Sequence, residues 1–215
     1  MATKTILCFG DSNTWGCVPV VSMGRALRFS REQRWPGVLR QELGPGYEVI
    51  EEGCPGRTTA WDDPIEGDMN GQTHLPHILY SHQPLDLVTI MLGTNDLKAR
   101  FGKRAYDIAL AAGTLVDVVR KQYFIVGTTP QVLLIAPPPV PDDMPEIFGE
   151  MFWGAGEKSK SFGRFFRQVA EMFDCGFLDA GQVIASSRVD GIHLDADAHL
   201  KLGQAVARSV REMLG

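Results

Sequence analysis

Hydrophobic residues in this chain form short continuous runs separated by longer segments of helical spacing. Four runs lack strict polar alternation and cover Thr5 to Phe9, Tyr47 to Ile50, Leu87 to Leu92 and Val132 to Ala136, and a short fifth candidate covers Gly176 to Asp179. Continuous apolar runs are typical of strands in a parallel sheet, whose two faces are both covered. The pattern therefore predicts a buried parallel sheet of five strands.

Three other segments have the spacing of amphipathic helices, and they cover Pro36 to Leu43, Ala105 to Arg120 and Ala196 to Leu214. The predicted buried stripe of the second is Ile108, Ala112, Leu115 and Val119, and that of the third is Leu200, Gly203, Val206, Val210 and Met213 or Leu214. Strands that alternate with helices imply right-handed crossovers and a three-layer α/β/α sandwich. The length of 215 residues fits one domain over residues 1–215.

Long irregular segments follow three of the predicted strands, over Gly16 to Arg34, Gly53 to Pro84 and Ala136 to about Pro145. The three prolines from Pro137 to Pro139 favour an extended backbone in the last of them. An open parallel sheet binds its ligand beyond the carboxyl ends of its strands. We therefore expect the chemistry just after each strand, with the loops forming pocket walls or subunit contacts.

The charge balance of the chain bears on which kinds of molecule it binds. The chain has 21 basic and 26 acidic residues, a net charge of -5 and no long run of either sign, which argues against nucleic acid or an anionic membrane. The first apolar run is too short for a signal-peptide core, and no run approaches the roughly 20 residues of a membrane span. The four cysteines form no C-x-x-C pair, which is typical of free thiols in the cytoplasm.

Three polar residues near the two ends of the chain form a candidate catalytic set. Ser12 follows the first strand, and Asp190 and His193 precede the last helix. A serine hydroxyl is a weak nucleophile until a base takes its proton, and His193 is the candidate base. Asp190 is the candidate group that holds the imidazole tautomer and stabilises the imidazolium.

Attack on an acyl carbonyl creates an oxyanion, which needs fixed hydrogen-bond donors. The candidates are the backbone N–H of Ser12, the backbone N–H of Gly56 in the loop after the second strand, and the side-chain amide of Asn95 after the third. Glycine at position 56 also permits a close backbone approach. These residues predict an oxyanion hole at the same sheet edge as the candidate triad.

Four blocks in this order resemble the SGNH, or GDSL-type, hydrolase superfamily: Gly10-Asp11-Ser12, the Gly56 loop Gly53-Cys54-Pro55-Gly56-Arg57-Thr58, Gly93-Thr94-Asn95-Asp96 and Asp190-Gly191-Ile192-His193. The match spans nearly the whole chain, and four blocks at strand ends are far more specific than one. The resemblance implies a serine hydrolase with a flavodoxin-like sheet of order 2-1-3-4-5, no metal and no cofactor.

The surroundings of these blocks are similar to a narrower branch, the bacterial arylesterases with acyltransferase activity, through Thr14-Trp15-Gly16, Glu51-Glu52-Gly53 and Met91-Leu92-Gly93. The chain departs from the family at Asn13, where leucine is usual. The branch implies short aryl or acetyl esters as substrates and a homo-oligomer such as an octamer. By analogy, the substrate-binding residues are Asn13, Trp15, Thr94, Phe152 and Ile192.

Each of these residues, taken alone, also has a structural interpretation. Ser12 fits a helix N-cap, and Asp190 and His193 fit an ordinary polar turn. Asp96 is expected to be a turn residue, because the mechanism needs no third carboxylate. The joint spacing of the blocks favours the catalytic interpretation for Ser12, Asp190 and His193.

Two further groups of residues lie outside the blocks. His74, His77 and His82 lack an i, i+4 pair and are expected to be exposed or packed in loops rather than bound to zinc. Phe148, Phe152 and Trp153 form an aromatic cluster that fits the core, a subunit interface or a pocket wall.

Other function classes lack their required motifs. An α/β-hydrolase elbow needs G-x-S-x-G, but Thr14 stands where the second glycine belongs. A phosphatase with Asp11 as nucleophile needs an acid at Asn13, and Phe101-Gly102-Lys103-Arg104 lacks the first glycine of a phosphate loop. Carbohydrate acetylesterase, lysophospholipase and thioesterase activities of the same superfamily stay open. The non-enzyme alternative is an inactive ligand-binding or assembly module.

Overall fold

A parallel sheet forms the centre of the molecule, which a computed structural model describes over residues 3–22, 24 and 26–215. Its strands are β1 (Lys4–Gly10), β2 (Tyr47–Gly53), β3 (Leu87–Met91), β4 (Gln131–Ala136) and β5 (Gly176–Asp179). They pair in the order β2-β1-β3-β4-β5. The five predicted strands and their predicted order are confirmed.

Helices connect these strands and cover both faces of the sheet. In the described residues they are α1 (Ser12–Trp15), α2 (Trp35–Leu43), α3 (Gly71–His82), α4 (Ala105–Lys121), α5 (Glu146–Gly149), α6 (Ala155–Ser159), α7 (Phe162–Met172) and α8 (Ala196–Leu214). Short 3-10 turns cover Asn95–Leu97, Ala99–Phe101 and Ala180–Gln182. None of the helices in this described part has the length and apolar character needed to cross a membrane.

The side chains of β1 show why the strand runs are apolar throughout. Leu7 and Phe9 pack with residues of α3, α4 and α7 on one face, whereas Ile6 and Cys8 pack with residues of α2 and α8 on the other. Each strand residue therefore meets a helix layer, whichever way it points. The predicted three-layer sandwich is confirmed.

Four helices and one helix face differ from the sequence predictions. The segment expected to be irregular from Gly53 to Pro84 contains α3, which runs through Pro76 and is capped by the Asn70 side chain. Helices α5, α6 and α7 lie in a region for which no helix was predicted. The predicted α8 stripe is wrong at Leu200, which is 45% exposed, because the buried face runs through Leu202 instead.

The register of the sheet sets the position of the site. Gly10 at the end of β1 pairs with Gly53 of β2 and with Met91 of β3. The three strands therefore end side by side, and the turns that follow them meet at one edge. Gly53 must be a glycine there, because an added Cβ would come within 2.1 Å of the Trp15 nitrogen.

Candidate active site

Ser12 lies on a tight turn between β1 and α1. The side chain of Asp11 caps α1 by accepting a hydrogen bond from the Asn13 N–H at 2.9 Å. Because Asp11 is the N-cap, the N-cap interpretation of Ser12 is wrong, and Ser12 is the first residue of the helix. Its hydroxyl is thus available for a contact outside the turn.

That contact is with His193, whose Nε2 lies 3.1 Å from Ser12 Oγ. On the other side of the ring, His193 Nδ1 lies 2.6 Å from Asp190 Oδ2. All three side chains are buried, with 6% exposure at Ser12, 7% at His193 and none at Asp190. The structure brings the predicted triad residues together in hydrogen-bonding order.

The Asp190 carboxylate is fixed by several backbone donors. Oδ1 accepts from the N–H groups of Ile192 and His193, each at 2.9 Å, and Oδ2 accepts from the N–H of Val20 at 2.7 Å. Burial alone would raise the pKa of Asp190, but the hydrogen bonds from His193 and these amides lower it. The carboxylate therefore stays charged beside the imidazole.

The His193 imidazole binds its proton more tightly than an ordinary histidine does. Burial by itself lowers its pKa, but the hydrogen bond with the Asp190 carboxylate contributes to an opposite effect that outweighs burial and raises the pKa to about 9. The ring of Phe148 packs edge-on against the imidazole, with centroids 6.1 Å apart. A base of this kind accepts a proton readily, yet it is neutral only at alkaline pH.

Ser12, Gly56 and Asn95, which carry the three predicted oxyanion donors, line one cavity. Gly56 has φ 84°, a left-handed conformation that favours glycine. Asn95 donates one side-chain hydrogen to the Arg57 carbonyl at 3.1 Å, which leaves its second hydrogen for a ligand. Within the described ranges, the N–H groups of Ser12 and Gly56 have no hydrogen-bond acceptor.

Asp96 connects two of the segments that carry the predicted oxyanion donors. It is fully buried and accepts hydrogen bonds from the Thr59 N–H at 3.0 Å and the Thr59 hydroxyl at 2.5 Å. Burial raises the pKa of Asp96 to about 6. Asp96 lies in the 3-10 turn Asn95–Leu97, and its bonds with Thr59 tie the loop that carries Gly56 to this turn.

A cavity of about 330 Å³ opens over Ser12. Apart from Ser12, His193 and the donors, its walls include Cys17, Val20, Ala26, Phe148, Met151, Phe152 and Ile192, together with the charged residues Glu66 and Lys98. Phe152 and Ile192, two of the substrate-binding residues implied by the resemblance, line this cavity. The aromatic cluster is divided, since Phe148 and Phe152 face the cavity and Trp153 is 72% exposed.

Three of the substrate-binding residues implied by the resemblance do not line the cavity. Asn13 is buried and donates to the Ile192 carbonyl at 3.2 Å, so it joins the nucleophile turn to the His193 turn. The Trp15 ring instead lies under the Arg28 guanidinium, 4.7 Å from its centroid. Thr94 is buried beneath the turn.

Cys17, Glu66 and Lys98 are cavity residues that the sequence interpretation missed. The backbone carbonyl of Ser12 accepts from the N–H groups of Gly16 and Cys17, both at 2.9 Å. This helix end, with Gly16 at φ 88°, turns the chain so that Cys17 rather than Trp15 reaches the cavity. The position of Gly16 after a short helix was the available signal for Cys17, whereas no local signal exists for Glu66 and Lys98.

Two of the three histidines of the middle segment have separate carboxylate partners. His74 Nε2 lies 3.0 Å from Asp68 Oδ1, and His82 Nε2 lies 2.8 Å from Glu52 Oε1. A search of the described residues for three or more metal-ligating side chains in one place found none.

A serine, a histidine and an aspartate joined in that order by hydrogen bonds, beside three candidate oxyanion donors on an α/β/α fold, are the arrangement of a serine hydrolase. The sequence profile of the GDSL-like lipase/acylhydrolase family matches residues 8–201. The chain therefore belongs to that family, and it is a carboxylic ester hydrolase of the serine type.

Several solved structures are similar over nearly the whole chain. The aryl esterase of M. smegmatis has 46% identity and a TM-score of 0.94, with coverage of 98% of this chain and 100% of that one. A carbohydrate acetylesterase from Sinorhizobium meliloti has 45% identity and a TM-score of 0.93, with coverage of 98% and 99%. A carbohydrate acetylesterase family member from the same organism has 39% identity and a TM-score of 0.92, with coverage of 99% and 100%. A comparison with curated proteins found no match.

Proposed function

We propose that the protein hydrolyses short-chain acyl esters through an acyl-enzyme on Ser12. The observation that carries the proposal is the hydrogen-bonded series from Asp190 through His193 to Ser12, which opens into the cavity. The same side chains in a solvated turn would not combine a nucleophile, a base and an oriented acid.

In the first half of the reaction, Ser12 Oγ attacks the ester carbonyl carbon while His193 Nε2 takes the hydroxyl proton. The Asp190 carboxylate stabilises the imidazolium through Nδ1–H. The N–H groups of Ser12 and Gly56 and the Asn95 amide donate to the carbonyl oxygen as it becomes an oxyanion. The tetrahedral intermediate then collapses, the C–O bond to the alcohol breaks, and His193 gives its proton to the departing oxygen.

In the second half, His193 takes a proton from water, and the resulting hydroxide attacks the acyl carbon. The same three donors stabilise the second oxyanion. When the bond to Ser12 breaks, His193 returns the proton to Oγ, and the acid leaves. The enzyme is thereby restored, and one ester and one water have become one acid and one alcohol.

The cavity supports small aryl and acetyl esters as substrates. Its volume of about 330 Å³ and the rings of Phe148 and Phe152 suit a short acyl group beside an apolar wall. Similar structures bear the names aryl esterase and carbohydrate acetylesterase, which favours these two classes over long-chain lipids and thioesters.

Acyl transfer to alcohols is a second proposed activity. An apolar wall near the acyl-enzyme lowers the local supply of water, so an alcohol can compete for the acyl group. Incubation with vinyl acetate and benzyl alcohol in buffer should yield benzyl acetate. Release of acetate without benzyl acetate would contradict this activity while leaving hydrolysis intact.

We also propose one domain over residues 1–215, a homo-oligomer and a cytoplasmic location. Exposed apolar side chains such as Trp153 at 72% and Tyr123 at 76% support subunit contacts. The four cysteines are free, which suits a reducing compartment. Light scattering after size-exclusion chromatography tests the oligomer, and a monomeric mass would contradict it.

Covalent labelling tests the nucleophile directly. Treatment with a fluorophosphonate should add one adduct by intact mass, and peptide mapping should place it on Ser12. The Ser81→Ala control changes an exposed serine on α3 and should label like the wild type. Labelling elsewhere, or full esterase activity in Ser12→Ala, would overturn the proposal.

A further inference from the structure

The loop after β2 carries Gly56 on a tight turn that ends at Arg57. The Arg57 N–H donates to the Cys54 carbonyl at 3.1 Å, so residues 54–57 form a β-turn with Pro55 and Gly56 at its centre. Gly56 has φ 84°, the conformation of the second central residue in a type II turn. A flip of the peptide between Pro55 and Gly56 would turn the Gly56 N–H to the opposite face. The conformation of this turn therefore decides whether Gly56 is available as an oxyanion donor.

The Arg57 side chain fastens this turn to the end of β1. Arg57 is only 6% exposed, and its Nη1 donates to the Gly10 carbonyl at 2.8 Å and to the Glu52 carbonyl. The Gly10 carbonyl also accepts a hydrogen bond from the Cys54 N–H at 3.1 Å. One carbonyl therefore holds both ends of the turn, and it lies two residues before Ser12.

The main chain of Arg57 contacts the second candidate donor. The Arg57 carbonyl accepts a hydrogen bond from the Asn95 side-chain amide at 3.1 Å. Because the amide group is planar, this bond also fixes the direction of the second hydrogen, which is the one predicted to donate to the oxyanion. Arg57 is thus bonded to Asn95 through its carbonyl and to the end of β1 through its side chain.

The guanidinium of Arg57 is costly to bury at this position. Its two hydrogen-bond partners are neutral carbonyls rather than carboxylates, and its Nε has no hydrogen-bond partner among the residues that the structure describes. Burial of a charged group destabilises the fold unless the charge is paired. The compensation is geometric: the planar guanidinium donates to two carbonyls while its Cζ lies 4.2 Å from the centroid of the Phe9 ring.

Resting on the proposed ester hydrolysis, we propose that Arg57 is a positioning residue that keeps the Gly56 N–H and the Asn95 amide directed at the oxyanion formed on attack by Ser12. Arg57 lies behind the cavity wall rather than in it, so it acts through the two donors and not on the substrate. These donors are needed most when the carbonyl oxygen becomes negative. Loss of their alignment should therefore lower kcat and leave KM almost unchanged.

Two substitutions at position 57 test this role. Arg57→Met removes the guanidinium but keeps an apolar side chain beside Phe9, and kcat for phenyl acetate should fall about 10²-fold, because a small misplacement of a catalytic group costs that much. KM should stay within about 2-fold of the wild-type value. Arg57→Lys keeps the charge and can donate to one carbonyl, so it should recover part of the activity, with kcat about 10-fold below the wild type.

Inhibition by phenyl trifluoromethyl ketone reports on the oxyanion hole without turnover. Ser12 Oγ adds to the ketone carbon, the hydroxyl proton passes to His193 Nε2, and the ketone oxygen becomes the oxyanion of a hemiketal. In Arg57→Met the Ki of this inhibitor should rise by about the factor by which kcat/KM for phenyl acetate falls. Partial unfolding alone would reduce the amount of active enzyme and leave Ki unchanged.

Arg40 on α2 provides a matched control. Its Nη2 also donates to a strand carbonyl, that of Val49 in β2 at 2.7 Å, and it contacts Glu51 Oε1 at 2.9 Å. These contacts lie along the edge strand rather than at the oxyanion hole. Arg40→Met should therefore lower the urea midpoint of unfolding while kcat and the Ki of the ketone stay at their wild-type values.

A double variant tests whether Arg57 acts through Asn95. Two independent losses would multiply, whereas a positioning residue loses part of its effect once the group that it positions is absent. Measured in the Asn95→Ala background, Arg57→Met should lower kcat by less than about 10-fold, because only the Gly56 N–H is then left to be misaligned.

The outcomes separate the positioning role from the proposed function. A wild-type kcat and Ki in Arg57→Met, a change in KM alone, or losses that multiply in the double variant would overturn the role of Arg57. If Arg57→Met fails to fold, the same kcat and Ki comparison in Arg57→Lys decides the question. A wild type that does not hydrolyse phenyl acetate would instead overturn the proposed ester hydrolysis.

Discussion

The cavity has two sides that are built in different ways. On one side, Ser12, Gly56 and Asn95 stand two to four residues after the ends of β1, β2 and β3. On the other, the wall comes from the segments around Cys17 and Phe148, which lie outside the strands. Sheet register fixes the first side, whereas loop conformation fixes the second.

Because the two sides are built differently, substitutions on them should affect turnover and substrate selectivity differently. A change at a strand end should lower turnover of every ester, because the same bonds break whatever the substrate. A change in the loop wall should mainly alter the ratio between two substrates, because it acts through contacts with the variable parts of the ester.

The largest expected effect is at the nucleophile. Ser12→Ala should lower kcat by about 10⁴-fold or more for phenyl acetate and for propyl acetate alike, because no acyl-enzyme can form. Steady-state kinetics on both substrates measures the effect, and thermal unfolding checks that the fold is retained. A loss confined to one substrate would break the proposed division of the cavity.

Loss of one oxyanion donor should have the next largest effect. Asn95→Ala removes the side-chain amide and should lower kcat by about 10²- to 10³-fold, with a smaller change in KM. Because Asn95 also donates to the Arg57 carbonyl, unfolding by urea should be measured in parallel. A main effect on KM would place Asn95 in substrate binding instead.

The pH dependence should reflect the bond between Asp190 and His193. His193 must be neutral to act as a base, and its pKa is raised to about 9, so kcat/KM should increase as pH rises from neutral to about 9. In Asp190→Asn the raising carboxylate is lost, and the rise should move to lower pH while the maximum rate falls by about 10⁴-fold. A wild-type profile already level at pH 7 would contradict the raised pKa.

A change in the loop wall should alter selectivity more than turnover. Phe148→Ala enlarges the cavity and should increase the hexanoate-to-acetate ratio of kcat/KM by about 10-fold for aryl esters. The matched control is Trp153→Ala, since this nearby ring is 72% exposed and should leave the ratio unchanged. Equal shifts in both variants would indicate a general loosening of the segment.

The smallest effect on selectivity is expected at Asn13. In Asn13→Leu the donor to the Ile192 carbonyl is lost, which should lower the free energy of unfolding by about 1 kcal/mol. The hexanoate-to-acetate ratio should stay close to that of the wild type. A large change in that ratio would favour the sequence-based hypothesis that Asn13 is a substrate-binding residue.

The sequence predicted the strand-end side far better than the wall. Ser12, Gly56, Asn95, Asp190 and His193 lie directly after strands or before the last helix, so local pattern and chain order sufficed to bring them to one edge. The loop wall of the cavity depends on turns of the backbone, which the sequence pattern does not predict. For example, the αL conformation of Gly16 places Cys17 rather than Trp15 at the cavity.

Contacts between residues far apart in the chain, such as that between Glu66 and Lys98, could not be predicted for a different reason. Glu66 and Lys98 have no local spacing that links them, and their pairing depends on how the loop after β2 folds against the 3-10 turns. Helix α3 contains Pro76, and a proline inside a segment argues locally against a helix. The folded protein nevertheless accommodates this proline, so the local pattern did not predict the helix.

The hydrogen bond from the Val20 N–H to Asp190 has a consequence for protein engineering. The segment between α1 and α2 forms part of the cavity wall and is the natural target for loop exchange between related esterases, yet its backbone also holds the acid of the proposed triad at 2.7 Å. A transplanted loop must therefore keep an amide hydrogen at position 20. Proline at position 20 would remove it. A transplanted loop without this hydrogen bond would alter the environment of Asp190 and His193, even if the exchange was designed only to alter substrate preference.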